Sequence, residues 1–106
     1  MRSLLLIAIL LLAPGLALAD PGAARQDELL YRLRQDCGSC HGMTLKGGLG
    51  PALLPASLDG KPDDALIDII LNGIPGTPMP PWGFEIDRGE AAWLVDHLKR
   101  GLTGDR

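Results

Sequence analysis

Three side chains able to form thioethers or bind a metal lie within one five-residue stretch. Cys37 and Cys40 are separated by two residues, and His41 follows the second cysteine directly. This Cys-x-x-Cys-His spacing is typical of covalent attachment of a c-type haem, in which each thiol bonds to one vinyl group. The adjacent imidazole would then coordinate the iron from one face. The motif therefore predicts one covalently bound haem c, held by Cys37 and Cys40 and ligated by His41.

Two other chemistries use the same residue types. A redox dithiol is expected in a βαβ context, and the residues around the motif do not alternate between strand and helix patterns. A zinc site needs about four ligands, and His97 is the only further histidine or cysteine in the chain. The spacing favours haem over both alternatives, but it does not exclude them.

A second candidate iron ligand lies in a proline-rich stretch. Residues 74–82 contain four prolines and one glycine, which predicts a stiff extended loop without helix or strand. Its one methionine, Met79, is the predicted second axial ligand, since haem iron with Met/His ligation is a known arrangement. The alternatives are an open sixth position and ligation by His97. Met43 lies too close to His41 along the chain to reach the opposite haem face easily.

Two further residues are predicted to line a haem pocket. Pro51 follows His41 by ten residues, and its carbonyl could accept a hydrogen bond from Nδ1 of His41, which would fix the ring orientation. An ordinary turn at Gly50 and Pro51 explains these residues equally well. Trp82 is predicted to form part of the pocket wall, a role that we favour over electron relay.

Helices must position these residues, and the sequence predicts three. The first covers residues 26–36, where leucines recur at helical spacing, and runs into the motif. The second covers residues 62–72 and ends at Gly73. The third begins with a capping-box pattern at residues 87–90 and continues to Arg100. Glycines and prolines between the first two helices predict turns, so we expect an all-α fold with about three helices and long loops.

The two ends of the chain carry different signals. Residues 1–19 combine Arg2, an apolar run and an Ala-x-Ala triplet, the pattern of a secretory signal peptide. The apolar run is short for a membrane span, although an uncleaved anchor is the alternative. Cleavage after residue 19 leaves 87 residues. We expect a flexible leader at residues 20–25, one domain at residues 26–101 and a frayed tail at residues 102–106.

Composition and charge limit the possible functions. The net charge is −3 for the whole chain and −4 once Arg2 is removed. Nucleic acid binding is not indicated, because the sequence has no basic run and no alternation of basic with aromatic side chains. A domain of this size buries a small apolar core and often needs a disulfide, metal or cofactor for stability. An attached haem would supply that stabilisation and use both cysteines, so no disulfide is predicted.

The mature chain resembles a class I cytochrome c along nearly its whole length. The resemblance rests on the first helix and its Cys-x-x-Cys-His-Gly motif, the turn at Pro51, the middle helix, the Met79 loop and the last helix. It implies a small cytochrome c fold around one haem, with His41 and Met79 as axial ligands and the Pro51 carbonyl against His41. The first and last helices would cross near the haem edge.

One position departs from the pattern of that family. An aromatic side chain is often found where this chain has His97, and Trp93 lies four residues earlier. If Trp93 takes the aromatic role, the helix crossing differs slightly. If neither residue does, the contact between the first and last helices is in doubt.

Residues 31–36, 43–51 and 75–82 carry a narrower resemblance, to small periplasmic cytochromes c of denitrifying bacteria associated with haem-containing nitrite reductase. It implies a monohaem protein associated with that reductase, as a redox partner. We expect a monomeric periplasmic electron carrier and not an enzyme, because two axial ligands would fill the iron coordination. An assembly factor for the d-type haem of the reductase is one alternative. A peroxidase-like haem enzyme with an open iron site is the other. Lys46 and Lys61 lie in the loops expected to flank a docking surface, where they either steer the partner or are simply solvated.

Overall fold

The computed structural model describes residues 20–102, and all the regular secondary structure in this part of the chain is helical. The helices are α1 (Ala23–Arg32), α2 (Gly38–His41), α3 (Pro55–Leu58), α4 (Asp63–Asn72) and α5 (Arg88–Arg100), with a π-helical turn, Leu33–Cys37, joining α1 to α2. The predicted all-α fold is confirmed for this part of the chain. None of these helices is long and apolar enough to cross a membrane. The predicted signal peptide and residues 103–106 of the predicted tail lie outside the described residues.

Helix α1 begins earlier than the sequence predicts. It starts at Ala23, so residues 23–25 of the expected leader are helical and that part of the prediction is corrected. The amide of Gln26 donates to the Gly22 carbonyl at 2.9 Å, and its side chain donates to the Pro21 carbonyl at 2.7 Å. Arg25 forms an ion pair with Glu90 in α5. These contacts fix the first turn of the helix.

The turn before the Cys-x-x-Cys-His motif is wider than an α-helix. The Gly38 amide donates to the Leu33 carbonyl five residues earlier, which is the π-helical pattern. Leu33 and Gly38 are both buried. The turn therefore places one extra residue between the buried face of α1 and the motif, where the sequence predicts a regular helix.

Local capping fixes the two later helices close to their predicted positions. Helix α4 has two aspartates in its first turn and stops at Gly73, whose φ is 67°. At the start of α5, the Glu90 amide donates to the Asp87 carboxylate at 2.8 Å, and the Asp87 amide donates to the Glu90 carboxylate at 3.0 Å. This reciprocal pair is the predicted capping box, and α5 ends before Gly101 as expected.

Helix α5 forms the centre of the core and contacts α1, α3 and α4. Leu102 also packs against this core, so the predicted frayed tail does not begin there. Ion pairs tie the elements together at the surface, with Lys99 of α5 2.5 Å from Asp63 of α4. The buried apolar residues are Leu29, Leu33, Leu45, Leu58, Ile67, Ile86, Ala91, Trp93, Leu94, Val95 and Leu98.

Candidate haem-binding site

The two cysteines and His41 lie at the end of the first helical run. Cys37 closes the π turn, while Cys40 and His41 are the last two residues of α2. Gly42 ends this helix with φ 91°, and a Cβ there would lie 2.7 Å from the Gly47 carbonyl oxygen. Only glycine fits that position, because an added side chain would force the loop away from the motif.

The surroundings of Cys37 and the absence of strands among the described residues argue against a redox dithiol. Both thiols are free in the structure. Burial raises the pKa of the Cys37 thiol to about 11, and the neighbouring Asp36 carboxylate adds to the rise. Redox-active dithiols instead have a thiol with a lowered pKa. In addition, residues 20–102 contain no strand and therefore no βαβ unit.

The ring of His41 is held by the backbone of the loop that follows α2. Its Nδ1 lies 2.7 Å from the carbonyl oxygen of Pro51, the hydrogen bond that the sequence left as one of two options. Gly50 allows this approach, since a Cβ there would lie 2.9 Å from the imidazole ring. With the Nδ1 proton donated to Pro51, a neutral imidazole keeps its lone pair on Nε2. That nitrogen is then the one that can bind iron.

Met79 lies on the loop between α4 and α5, as predicted. We name residues 74–82 the methionine loop; it has no regular structure. The Ile74 amide donates to the Met79 carbonyl at 3.2 Å, and the Trp82 amide donates to the Ile70 carbonyl at 2.9 Å. A Cβ at Gly73 would lie 2.7 Å from the Met79 carbonyl oxygen. Both ends of the loop are thus fixed against the end of α4, and the Met79 side chain is half-buried.

The remaining candidates have identifiable surroundings. Trp82 is half-buried and packs against the core, and its place in a haem pocket stays a prediction. Met43 is 60% exposed. His97 stacks on Trp93 with ring centroids 4.0 Å apart, and Trp93 itself is buried. This contact gives His97 a packing role within α5. The role of Trp93 at the crossing of the first and last helices stays a prediction.

These residues fit a covalently attached haem. One helical run carries both free thiols and an imidazole whose Nδ1 already has a partner, and a separate braced loop carries the thioether of Met79. Imidazole and thioether are a known pair of axial haem ligands. For zinc the fit is poor, because no three His, Cys, Asp or Glu side chains among the described residues are arranged to hold a metal ion.

Comparison with known proteins agrees with this geometry. The family model of the cbb3-type cytochrome c oxidase subunit III matches residues 23–98. Cytochrome c55X of Pseudomonas aeruginosa is 54% identical over 88 residues, which cover 83% of this chain and 74% of the relative. The solved structure of the c-type cytochrome NirC is 54% identical, with a TM-score of 0.76 over 77% of this chain and 96% of NirC. The chain belongs to the class I cytochrome c family. Haem c is accordingly the cofactor type of this cytochrome.

Two further relatives refine the placement of the cytochrome within the family. Cytochrome c55X of Paracoccus denitrificans is 48% identical over 96 residues, covering 90% of this chain and 93% of the relative. The dihydro-haem d1 dehydrogenase of Pseudomonas aeruginosa is 42% identical over 82 residues, but these are only 16% of its length. A solved structure of that kind of enzyme, NirN in complex with DHE, matches with a TM-score of 0.59. The cytochrome therefore resembles one small part of a much larger enzyme.

Proposed function

We propose that the cytochrome carries single electrons to or from a redox partner in the nitrite reductase system of denitrification. Cys37 and Cys40 would hold one haem c through thioether bonds, and His41 and Met79 would ligate its iron. When bound, such a group supplies a one-electron change between ferrous and ferric iron. The observation that carries the proposal is the bond from His41 Nδ1 to the Pro51 carbonyl, 2.7 Å long, because it presents Nε2 from the same helical run that carries both thiols.

The residues around Met79 favour a carrier over an enzyme. Two side-chain ligands would leave no iron position for a substrate. A haem enzyme with an open position would need an acid or base nearby, and the methionine loop contains no acidic, basic or histidine side chain. Its four prolines limit the freedom of the loop, which reduces the entropy that Met79 would lose on binding iron.

The proposal includes export and a monomeric state in the periplasm. Residues 1–19 have the pattern of a secretory signal peptide, and the mature cytochrome would begin at Asp20. Similarity to NirC and to a dihydro-haem d1 dehydrogenase supports a place in the nitrite reductase system. The reductase itself is the partner that we propose first.

A second role is favoured by the match to the dehydrogenase. A dehydrogenation releases two electrons and two protons, so a one-electron carrier would serve it in two successive transfers. A segment of the dehydrogenase is 42% identical to this chain. The separate cytochrome could therefore assist maturation of a d-type haem for nitrite reductase, with the same four haem-binding residues.

The cofactor and its ligands can be tested on the purified exported protein. We expect a mass equal to the chain from Asp20 plus one haem, and reduced and oxidised absorption spectra of a c-type cytochrome. Carbon monoxide should bind the ferrous protein slowly and incompletely at neutral pH, while a Met79→Ala variant should bind it rapidly. A colourless product with the mass of the bare chain would refute the proposal. Rapid and complete binding by the unmodified protein would favour the open-site enzyme.

Deletion of the gene distinguishes the two proposed roles. A carrier for the reductase predicts that the reductase still contains its d-type haem but receives electrons more slowly in whole cells. An assembly role predicts a reductase without that haem. The d-type haem content of the purified reductase, measured by its absorption spectrum, decides between them.

A further inference from the structure

We infer that Thr77 is a positioning residue, whose hydroxyl group holds the backbone of Met79 in place. The inference rests on the proposed ligation of iron by Met79, which requires the thioether to be presented from a fixed loop. Thr77 is exposed, so its side chain contributes little to the apolar core. Both hydrogen bonds of its hydroxyl group are made within the methionine loop.

The Thr77 hydroxyl bridges two backbone groups of the methionine loop. It donates to the Ile74 carbonyl at 2.7 Å and accepts from the Met79 amide at 3.3 Å. The Thr77 amide also donates to the Ile74 carbonyl, at 3.2 Å, and the Ile74 amide donates to the Met79 carbonyl, also at 3.2 Å. Since a hydroxyl can donate and accept at once, one side chain completes a closed ring of bonds from residue 74 to residue 79.

The sequence of the loop explains why a side chain has this task. Pro75 and Pro78 have no amide hydrogen, so two of the six residues from 74 to 79 cannot donate a backbone hydrogen bond within the loop. The Met79 amide has no backbone acceptor among the bonds of the described chain and uses the Thr77 hydroxyl instead. Without that hydroxyl, the prolines would still stiffen the loop, but the Met79 amide would need a water molecule as its partner.

The methionine loop lies against the end of α4 at Met79. A Cβ at Gly73 would lie 2.7 Å from the Met79 carbonyl oxygen and 2.8 Å from the Pro80 carbonyl carbon. The backbone of the loop therefore runs directly against the backbone of Gly73. Without the Thr77 hydroxyl, the Met79 carbonyl would keep its bond from the Ile74 amide, but the Met79 amide would lose its partner. The thioether would then be held less firmly.

The test compares Thr77→Val, which keeps the shape of the side chain and removes its hydroxyl, with Thr77→Ser, which keeps the hydroxyl. Imidazole added to the ferric cytochrome competes with Met79 for iron, so its apparent affinity reports how firmly the thioether is held. We expect Thr77→Val to raise that affinity about 5- to 30-fold, as the loss of one or two hydrogen bonds predicts. Thr77→Ser and the exposed control Thr44→Val should stay within about twofold of the unmodified protein.

Hydrogen exchange of the Met79 amide gives a second readout that does not depend on iron ligation. We expect this amide to be protected in the unmodified protein and in Thr77→Ser, and to exchange faster in Thr77→Val. Equal imidazole affinity and equal exchange in the three proteins would overturn the inference, as would an unprotected Met79 amide in the unmodified protein. The charge-transfer band of thioether-bound ferric iron tests the proposed ligation separately: if the unmodified protein lacks it, that proposal fails, while amide exchange still tests the ring.

Discussion

Gly50 and Gly73 each let the backbone approach a candidate iron ligand. An added Cβ would lie 2.9 Å from the imidazole of His41 at Gly50, and 2.7 Å from the carbonyl oxygen of Met79 at Gly73. Cβ atoms in proteins essentially never approach another heavy atom that lies outside the adjoining chain more closely than 3.0 Å, and both distances are shorter than this. The sequence shows that glycine is frequent after the motif, but the partner of each glycine depends on the path of the folded loop. The sequence therefore predicts the hydrogen bond between His41 and the Pro51 carbonyl as one of two options, but it does not predict the contact at Gly50 that permits this bond.

Replacement of Gly50 tests the orientation of the candidate haem ligand. In Gly50→Ala the new methyl group would displace the His41 ring and weaken its bond to the Pro51 carbonyl. That bond makes the imidazole a stronger ligand, which favours ferric iron, so we expect a higher reduction potential. A loss of about 1 kcal/mol corresponds to about 40 mV for one electron. Spectroelectrochemical titration measures the shift.

Gly22→Ala is the matched control for this substitution, because a Cβ at Gly22 would meet no atom within 4 Å. Its potential should equal that of the unmodified protein. An unchanged potential in Gly50→Ala, with the absorption spectrum preserved, would contradict the predicted link between Gly50 and the ligand.

Among the helices, those with local signals were predicted well. Gly73 ends α4, and the capping box of Asp87 and Glu90 starts α5. Both signals depend only on residues next to the helix end, so they could be identified from the sequence. The start of α1 could not, because Arg25 is held by Glu90, 65 residues away. The π turn could not be predicted either, because it also depends on contacts with residues distant in the sequence. The spacing of leucines alone fits a regular helix, whereas the register of the turn depends on packing of Leu33 in the core.

The contact between α1 and α5 can be tested at Glu90. In Glu90→Gln, Arg25 loses a charged partner whose side chain is only 15% exposed, and we expect a loss of about 1 to 2 kcal/mol in the free energy of unfolding at neutral pH. Asp96→Asn is the control, since the ion pair of Asp96 with Arg100 lies within one helix and is exposed. That variant should lose at most about 0.5 kcal/mol. Denaturant titration of the haem-containing protein measures both values.

The same variant should respond differently to acid. The hydrogen bond from Arg25 lowers the pKa of Glu90 below its ordinary value of 4.5, and the Asp87 amide assists. The stabilisation is therefore complete above pH 4.5 and is lost as the pH falls through the lower pKa of the folded state. The stability difference between the unmodified protein and Glu90→Gln should shrink over that range. A difference that stays constant down to about pH 3 would contradict the assigned role of the ion pair.

For the molecule as a whole, a small core is shared by nearly all the helices. Leu29 is fully buried, whereas Tyr31, two residues along the same helix, is 66% exposed. We expect Leu29→Ala to cost about 2 to 5 kcal/mol, a large part of the stability of a domain this size. Tyr31→Ala should change stability by less than about 0.5 kcal/mol. Equal unfolding midpoints for the two variants would contradict the described packing of α1.

The bond between Arg25 and Glu90 also bears on the order in which contacts form during folding. These partners are 65 residues apart in the sequence, so the contact between α1 and α5 cannot form until the chain between them has folded back. Contacts between residues so distant in sequence form late, because a long loop must close first. During that interval Cys37 and Cys40 belong to an open polypeptide, and the enzymes that join a porphyrin to them would have access from every side.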